Sequence, residues 1–152
     1  MPFPFSSRGT IEITTHGTAS LPPIVSAIEN AIRDSKPTSL SVKDGVVSFR
    51  AGVFRFVNNW NQLVSISSGE IRLSQRGELV LIDYRISFVQ MFIIVSMMVG
   101  LIFGFVAQAP LGFVVVGWLW LFGGNYFLTL YRFPRFLRAV AEKATQNPEL
   151  PR

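Results

Sequence analysis

ISFVQMFIIVSMMVGLIFGFVAQAPLGFVVVGWLWLFGGNYFLTLY, residues 86–131, runs for 46 residues without one Asp, Glu, Lys or Arg. All nine acidic and all fourteen basic residues lie outside it. Residues 86–107 form a first apolar run and residues 111–131 a second, with Gln108-Ala109-Pro110 between them. At 1.5 Å per residue, a helix over 86–107 rises about 33 Å, against a hydrocarbon core of about 30 Å. The second run is nearly as long. Two crossings joined by three residues are antiparallel neighbours. The expectation is a transmembrane helical hairpin over 86–131.

Helices in lipid gain little from the hydrophobic effect on meeting, so close approach through small residues carries weight. Gly100 and Gly104 make a GxxxG in the first run, and Gly117 falls at the depth of Gly100 when the chain folds back at 108–109. The same count sets Gln90 level with Asn125. An unsatisfied amide in hydrocarbon costs several kcal/mol, so a Gln90–Asn125 hydrogen bond is expected beside glycine packing.

Residues 1–85 read as a small domain. Ile11 and Ile13 alternate with Thr10, Glu12 and Thr14, the pattern of a half-buried strand. Ile24, Val25, Ile28, Ala31 and Ile32 form one helical stripe after Pro22-Pro23, with Ser20 as N-cap and Pro37 as stop. Asp44-Gly45 between alternating runs signals a two-residue hairpin, since a type I′ turn needs positive φ at both central positions. Strands are expected at 53–57 and 63–66, with a turn at 58–61. Ile71 and Leu73 alternate, Arg76-Gly77 turns, and residues 78–86 make the last strand. The fold class is α+β: a small two-layer antiparallel sheet with one covering helix, followed by the two-helix transmembrane hairpin.

The flanks carry the charge. Tyr84 and Arg85 precede the apolar run, and Arg132, Arg135 and Arg138 follow it; these suit a membrane interface, where an amphipathic ring or a snorkelling cation is satisfied. Pro134 suits a helix start, so residues 132–152 are expected as a basic interfacial helix, with Phe133, Phe136, Leu137 and Val140 facing lipid, and a disordered tail. Met1–Arg8 lacks the basic-then-apolar pattern of a signal peptide. With Lys/Arg on both flanks and none at 108–110, both termini are expected in the cytoplasm of a bacterial inner-membrane protein.

Net charge is +5, the pI about 10.2 and the mean hydropathy +0.40. Membrane-flanking arginines produce such a pI, and no nucleic-acid-binding motif accompanies it, so nucleic acid is not an expected partner. There is no cysteine and one histidine, His16. Thiolate chemistry is thereby excluded, and a multi-histidine metal site within one chain with it. The glycines fit neither a P-loop nor a dinucleotide fingerprint. No catalytic residue, metal ligand or cofactor is assigned. A membrane enzyme would need Glu12, His16 and Asp83 to cluster. Phe54, Arg55 and Trp60 lie in an aromatic, Asn-rich stretch and make a partner surface, since a turn Trp anchors interfaces. The expected function is a membrane-anchored, non-enzymatic interaction module, an accessory subunit of a membrane complex. Its partners would be membrane lipids with another membrane protein or a second copy. The alternative is a domain binding lipid or another apolar ligand beside the bilayer, in a cavity under the helix near Ile24 and Ile28.

Overall fold

Ile11 and Ile13 turn to the same side of strand β1 (Ser6–Thr14) and are buried there. In a computed structural model that describes residues 5–14, 21–51, 65–102 and 110–146, four more strands join it: β2 (Ser39–Lys43), β3 (Val46–Arg50), β4 (Ser68–Arg76) and β5 (Leu79–Ser87). The sheet is antiparallel throughout, in the order β1-β5-β4-β3-β2. Asp44 (φ 50°) and Gly45 (φ 74°) make the β2–β3 turn, as a type I′ hairpin requires.

Strand periodicity divides the sheet into two unlike faces. The inner face presents Ile11 and Ile13, Val80, Ile82 and Ile86, Ile71 and Leu73, and Val47 and Phe49, all buried. Helix α1 (Leu21–Asp34) joins β1 at one edge to β2 at the other, and buries Ile24, Ile28 and Ile32. Gly69 lies beneath the Phe49 ring and Gly9 beneath Tyr84; a Cβ at either position would overlap the ring.

Two helices follow. α2 (Val89–Ile102) has α-helical geometry to Val99 and then a π turn. α3 (Leu111–Gln146) is one continuous helix of 36 residues, widened by a π turn at Leu119–Gly123. Trp118, Phe122, Tyr126, Thr129, Phe133, Leu137 and Ala141 form a single inward stripe along it; Trp118 is half-buried and the rest are buried. Residues four apart on an α-helix drift by about 40° per step. The wider π turn counters that drift and keeps Trp118, Phe122 and Tyr126 in line.

The expected two-helix transmembrane hairpin is not what the described residues show. Ile86 and Ser87 complete β5, and Phe88 is fully buried at the N-cap of α2, so the domain core claims the start of the first run. The described helical residues that remain, 89–102, rise about 21 Å, short of the hydrocarbon core. The second run does not stop at Tyr131. It continues through Pro134 to Gln146, and the part from Gly124 onward packs on α1 and β1. The expected interfacial helix is therefore the end of α3. Phe133 and Leu137, both 0% exposed, face the sheet and not lipid, so two helices, not one, cover the inner face. Among the described residues, one helix is long and apolar enough to cross a membrane by length and composition. The expected N-cap Ser20, the strand at 53–57, the turn at 58–61, residues 103–109 and the tail from 147 lie outside the described residues, as do residues 63 and 64 of the strand expected at 63–66, whose Ser65 and Ile66 are not in a strand.

The step from β5 to α2 has no slack. Phe88 N–H donates to Phe5 O (2.7 Å), Ser67 N–H to Ser87 O (2.7 Å) and Gln90 N–H to Ser67 Oγ (2.8 Å). Buried Ser67 thus caps α2 from a different strand connection. Ser67→Ala leaves that helix N–H without its acceptor and should cost about 1 kcal/mol. Urea unfolding in mild detergent, followed by far-UV circular dichroism, measures it; an unchanged midpoint would mean that the cap contributes nothing.

Candidate functional site

Among the described residues no helix covers the outer face of the sheet. Its side chains fall into rows across the strands, fixed by the pairing register. The row beside the start of α2 reads Ser6, Ser87, Ser68, Arg50, Ser39. The next reads Arg8, Arg85, Glu70, Ser48, Ser41, and the third Thr10, Asp83, Arg72, Val46, Lys43. Small hydroxyls beside Arg50, Arg85 and Glu70 leave a hollow of about 490 Å³ over the first row and most of the second, and a second hollow of about 300 Å³ lies over Arg8, Arg85, Glu70, Thr10, Arg72 and Asp83.

Charge on this face is unbalanced. Arg72 Nε donates to Glu70 Oε1 at 2.7 Å, and Asp83 accepts the Thr10 hydroxyl. Arg8, Arg50 and Arg85 have no ion pair among the described residues. Arg8 and Arg85 stand directly opposite on paired strands, where like charges repel. The one carboxylate beside them in their row, Glu70, is engaged by Arg72. The arrangement attracts anions and holds hydroxyl donors next to the cations. It contains no nucleophile–base pair, and no group of three or more metal-ligating side chains occurs among the described residues.

The other expected site residues are scattered. Tyr84 lies on the inner face, its ring edge-on to Phe133 at 5.4 Å, and burial raises its pKa above the ordinary value. Arg85, its neighbour in sequence, points to the outer face. Arg132, Arg135 and Arg138 are on α3; Arg135 lies 3.8 Å over the Tyr131 ring, and Arg138 is 3.8 Å from Glu142. No hydrogen bond joins Gln90 to Asn125: the Gln90 backbone N–H donates to Ser67 Oγ, and Asn125 Nδ2 donates to Leu121 O. Gly100 is exposed, and a Cβ added there meets nothing within 4 Å. Gly117 is half-buried on α3. Gly104, Phe54, Arg55, Trp60 and His16 lie outside the described residues. Glu12 and Asp83 share the outer face. Ile24 and Ile28 are packed into the core, and both hollows open on the opposite side of the sheet.

What joins α2 to α3 is aromatic. Phe92 meets Phe5, Trp118 and Phe122 edge-on at 4.8–5.7 Å, Trp118 stacks on Phe122, and Phe88 meets Tyr126 at 4.8 Å. Trp118 Nε1–H also donates to Ser96 Oγ at 2.9 Å. The four-residue spacing of Trp118, Phe122 and Tyr126 was the available signal for this seam. The same ladder fixes levels along the molecule: Tyr84 lies beside Phe133, Phe88 beside Tyr126, and Phe92 beside Phe122. No family model, curated protein or solved structure matches the chain.

Proposed function

We propose that the chain is a membrane-anchored, non-enzymatic interaction module of the bacterial inner membrane, an accessory subunit whose outer sheet face is presented on the cytoplasmic side. One observation carries this reading. The helix that completes the domain core also bears a charge-free stretch of which only 11% is buried. Leu111, Phe113, Val116, Trp120 and Phe127 are each at least 65% exposed on it, an apolar surface larger than water-facing helices carry. The core helix of a soluble protein is mostly buried, and this stretch is not. The excess of Lys/Arg on the domain supports the cytoplasmic side. A face that binds without reacting suits the absence of a nucleophile–base pair among the described residues.

The chain has no cysteine, so a single Ser41→Cys on the exposed edge strand β2 can be labelled alone. The chain should stay in the membrane pellet after alkaline carbonate washing. The introduced thiol should react with an impermeant maleimide only after cells are opened. Release by carbonate would overturn the membrane reading, and labelling of intact cells would overturn the orientation.

A further inference from the structure

We infer that the serine–arginine hollow on the outer sheet face binds the phosphate of an anionic lipid headgroup. The inference rests on the membrane reading above and names a partner for the same face. Two independent observations meet here.

The first is chemical. Arg8 and Arg85 oppose each other on β1 and β5; Arg85 and Arg50 line the larger hollow with the serines, Arg8 lines the smaller one that adjoins it at Arg85, and Glu70, which lines both, is engaged by Arg72. Ser6, Ser68 and Ser87 occupy the row of Arg50. A phosphate between the two guanidiniums replaces repulsion with charge-assisted hydrogen bonds, for which the arginine fork is well shaped. The serines supply further donors to its remaining oxygens.

The second is positional. Arg85 is the last charge before the apolar run and Arg132 the first after it. The Tyr84–Phe133 contact brings those two points of the chain to one level. Arg85 and its partner Arg8 therefore lie at the boundary where the charge-free part of the molecule begins, and the serine row lies one step closer to it. Arg132, and Arg135 over Tyr131, stand near the same level on α3. When α3 is inserted to this boundary, the headgroup phosphates come to the height of the hollow. A free anion in solution has no reason to be met at that level.

The test uses the full chain reconstituted in nanodiscs of mixed phosphatidylcholine and phosphatidylglycerol, with retained lipid counted by native mass spectrometry. Wild type should keep phosphatidylglycerol in preference to phosphatidylcholine. An arginine at the membrane surface contributes about fivefold in affinity, so R8Q/R85Q should weaken retention on the order of 30-fold. R33Q/R76Q removes the same charge away from the hollow and should retain lipid as wild type does. Losing a like-charge pair should not unfold the domain; if R8Q/R85Q nevertheless loses its circular dichroism signal, R50Q alone, with about a fivefold loss expected, decides the matter. Equal retention of the two lipids by wild type, or equal losses in both double variants, would overturn the inference. Displacement of the retained lipid by millimolar inorganic phosphate would overturn the headgroup as occupant. None of these outcomes touches the carbonate test, so failure here leaves the membrane reading standing.

Discussion

Phe133→Ala should destabilise the folded chain by about 3–5 kcal/mol, the range for deleting a fully buried aromatic ring. Phe133 is 0% exposed, packs edge-on against Tyr84 and lies in the stripe that continues through Leu137 and Ala141. Its removal opens a void where α3 meets the sheet, and α1, which packs on the same part of α3, is too firmly seated by Ile24, Ile28 and Ile32 to collapse into it. Phe127 sits six residues earlier on the same helix and is 67% exposed. Phe127→Ala in detergent should cost well under 1 kcal/mol, because that ring has little packing to lose. Urea unfolding of both variants in the same detergent separates the cases. Equal midpoints would mean that the end of α3 is not part of the domain core.

Phe88→Ala should cost a similar 3–5 kcal/mol, about the same range, and do something Phe133→Ala does not. Phe88 is 0% exposed at the single residue between β5 and α2, with its ring against Tyr126. Its backbone N–H bond to Phe5 survives the substitution, so the ladder stays anchored while the wedge between domain and helices is gone. The domain should then rock on α3. Nitroxide labels at Ser41 and Leu119, both exposed, report this by pulsed EPR as a broader distance distribution than in the wild type. A destabilised variant with an unbroadened distribution would show that the ring serves the core alone.

Local patterns carried much of the domain. Alternation at Ile11 and Ile13, the Ile24-Ile28-Ile32 stripe and the Asp44-Gly45 turn each encode their structure within a few residues, and each is found as expected. The end of α3 was harder for a physical reason. Phe133, Phe136, Leu137 and Val140 beside three arginines make one amphipathic face, and that face looks the same whether lipid or a sheet covers it. Pro134 misled likewise. In a helix interior it removes one N–H donor, which usually marks an end, yet here the helix continues through it, with Phe133 and Leu137 buried on either side. Ser67 was illegible for another reason: its role depends on Gln90, 23 residues away, across a pairing that only the fold creates. The arginine–serine hollow is a matter of register. Each strand alternates visibly, but that Arg8 falls opposite Arg85, and not opposite Asp83, follows from how β1 and β5 align.

The 36-residue α3 has a consequence for biogenesis. A ribosome releases the five strands and α1 first, yet the inner face of the sheet is only part-covered, by α1, until Phe133, Leu137 and Ala141 have been made, after the whole apolar stretch. Domains ordinarily fold as units while the chain emerges; this one must wait for the helix that bears its apolar stretch. During that interval its exposed isoleucines compete for other apolar surfaces, so translation pauses or chaperone shortage should harm this chain more than a domain whose core is complete before such an apolar stretch is made.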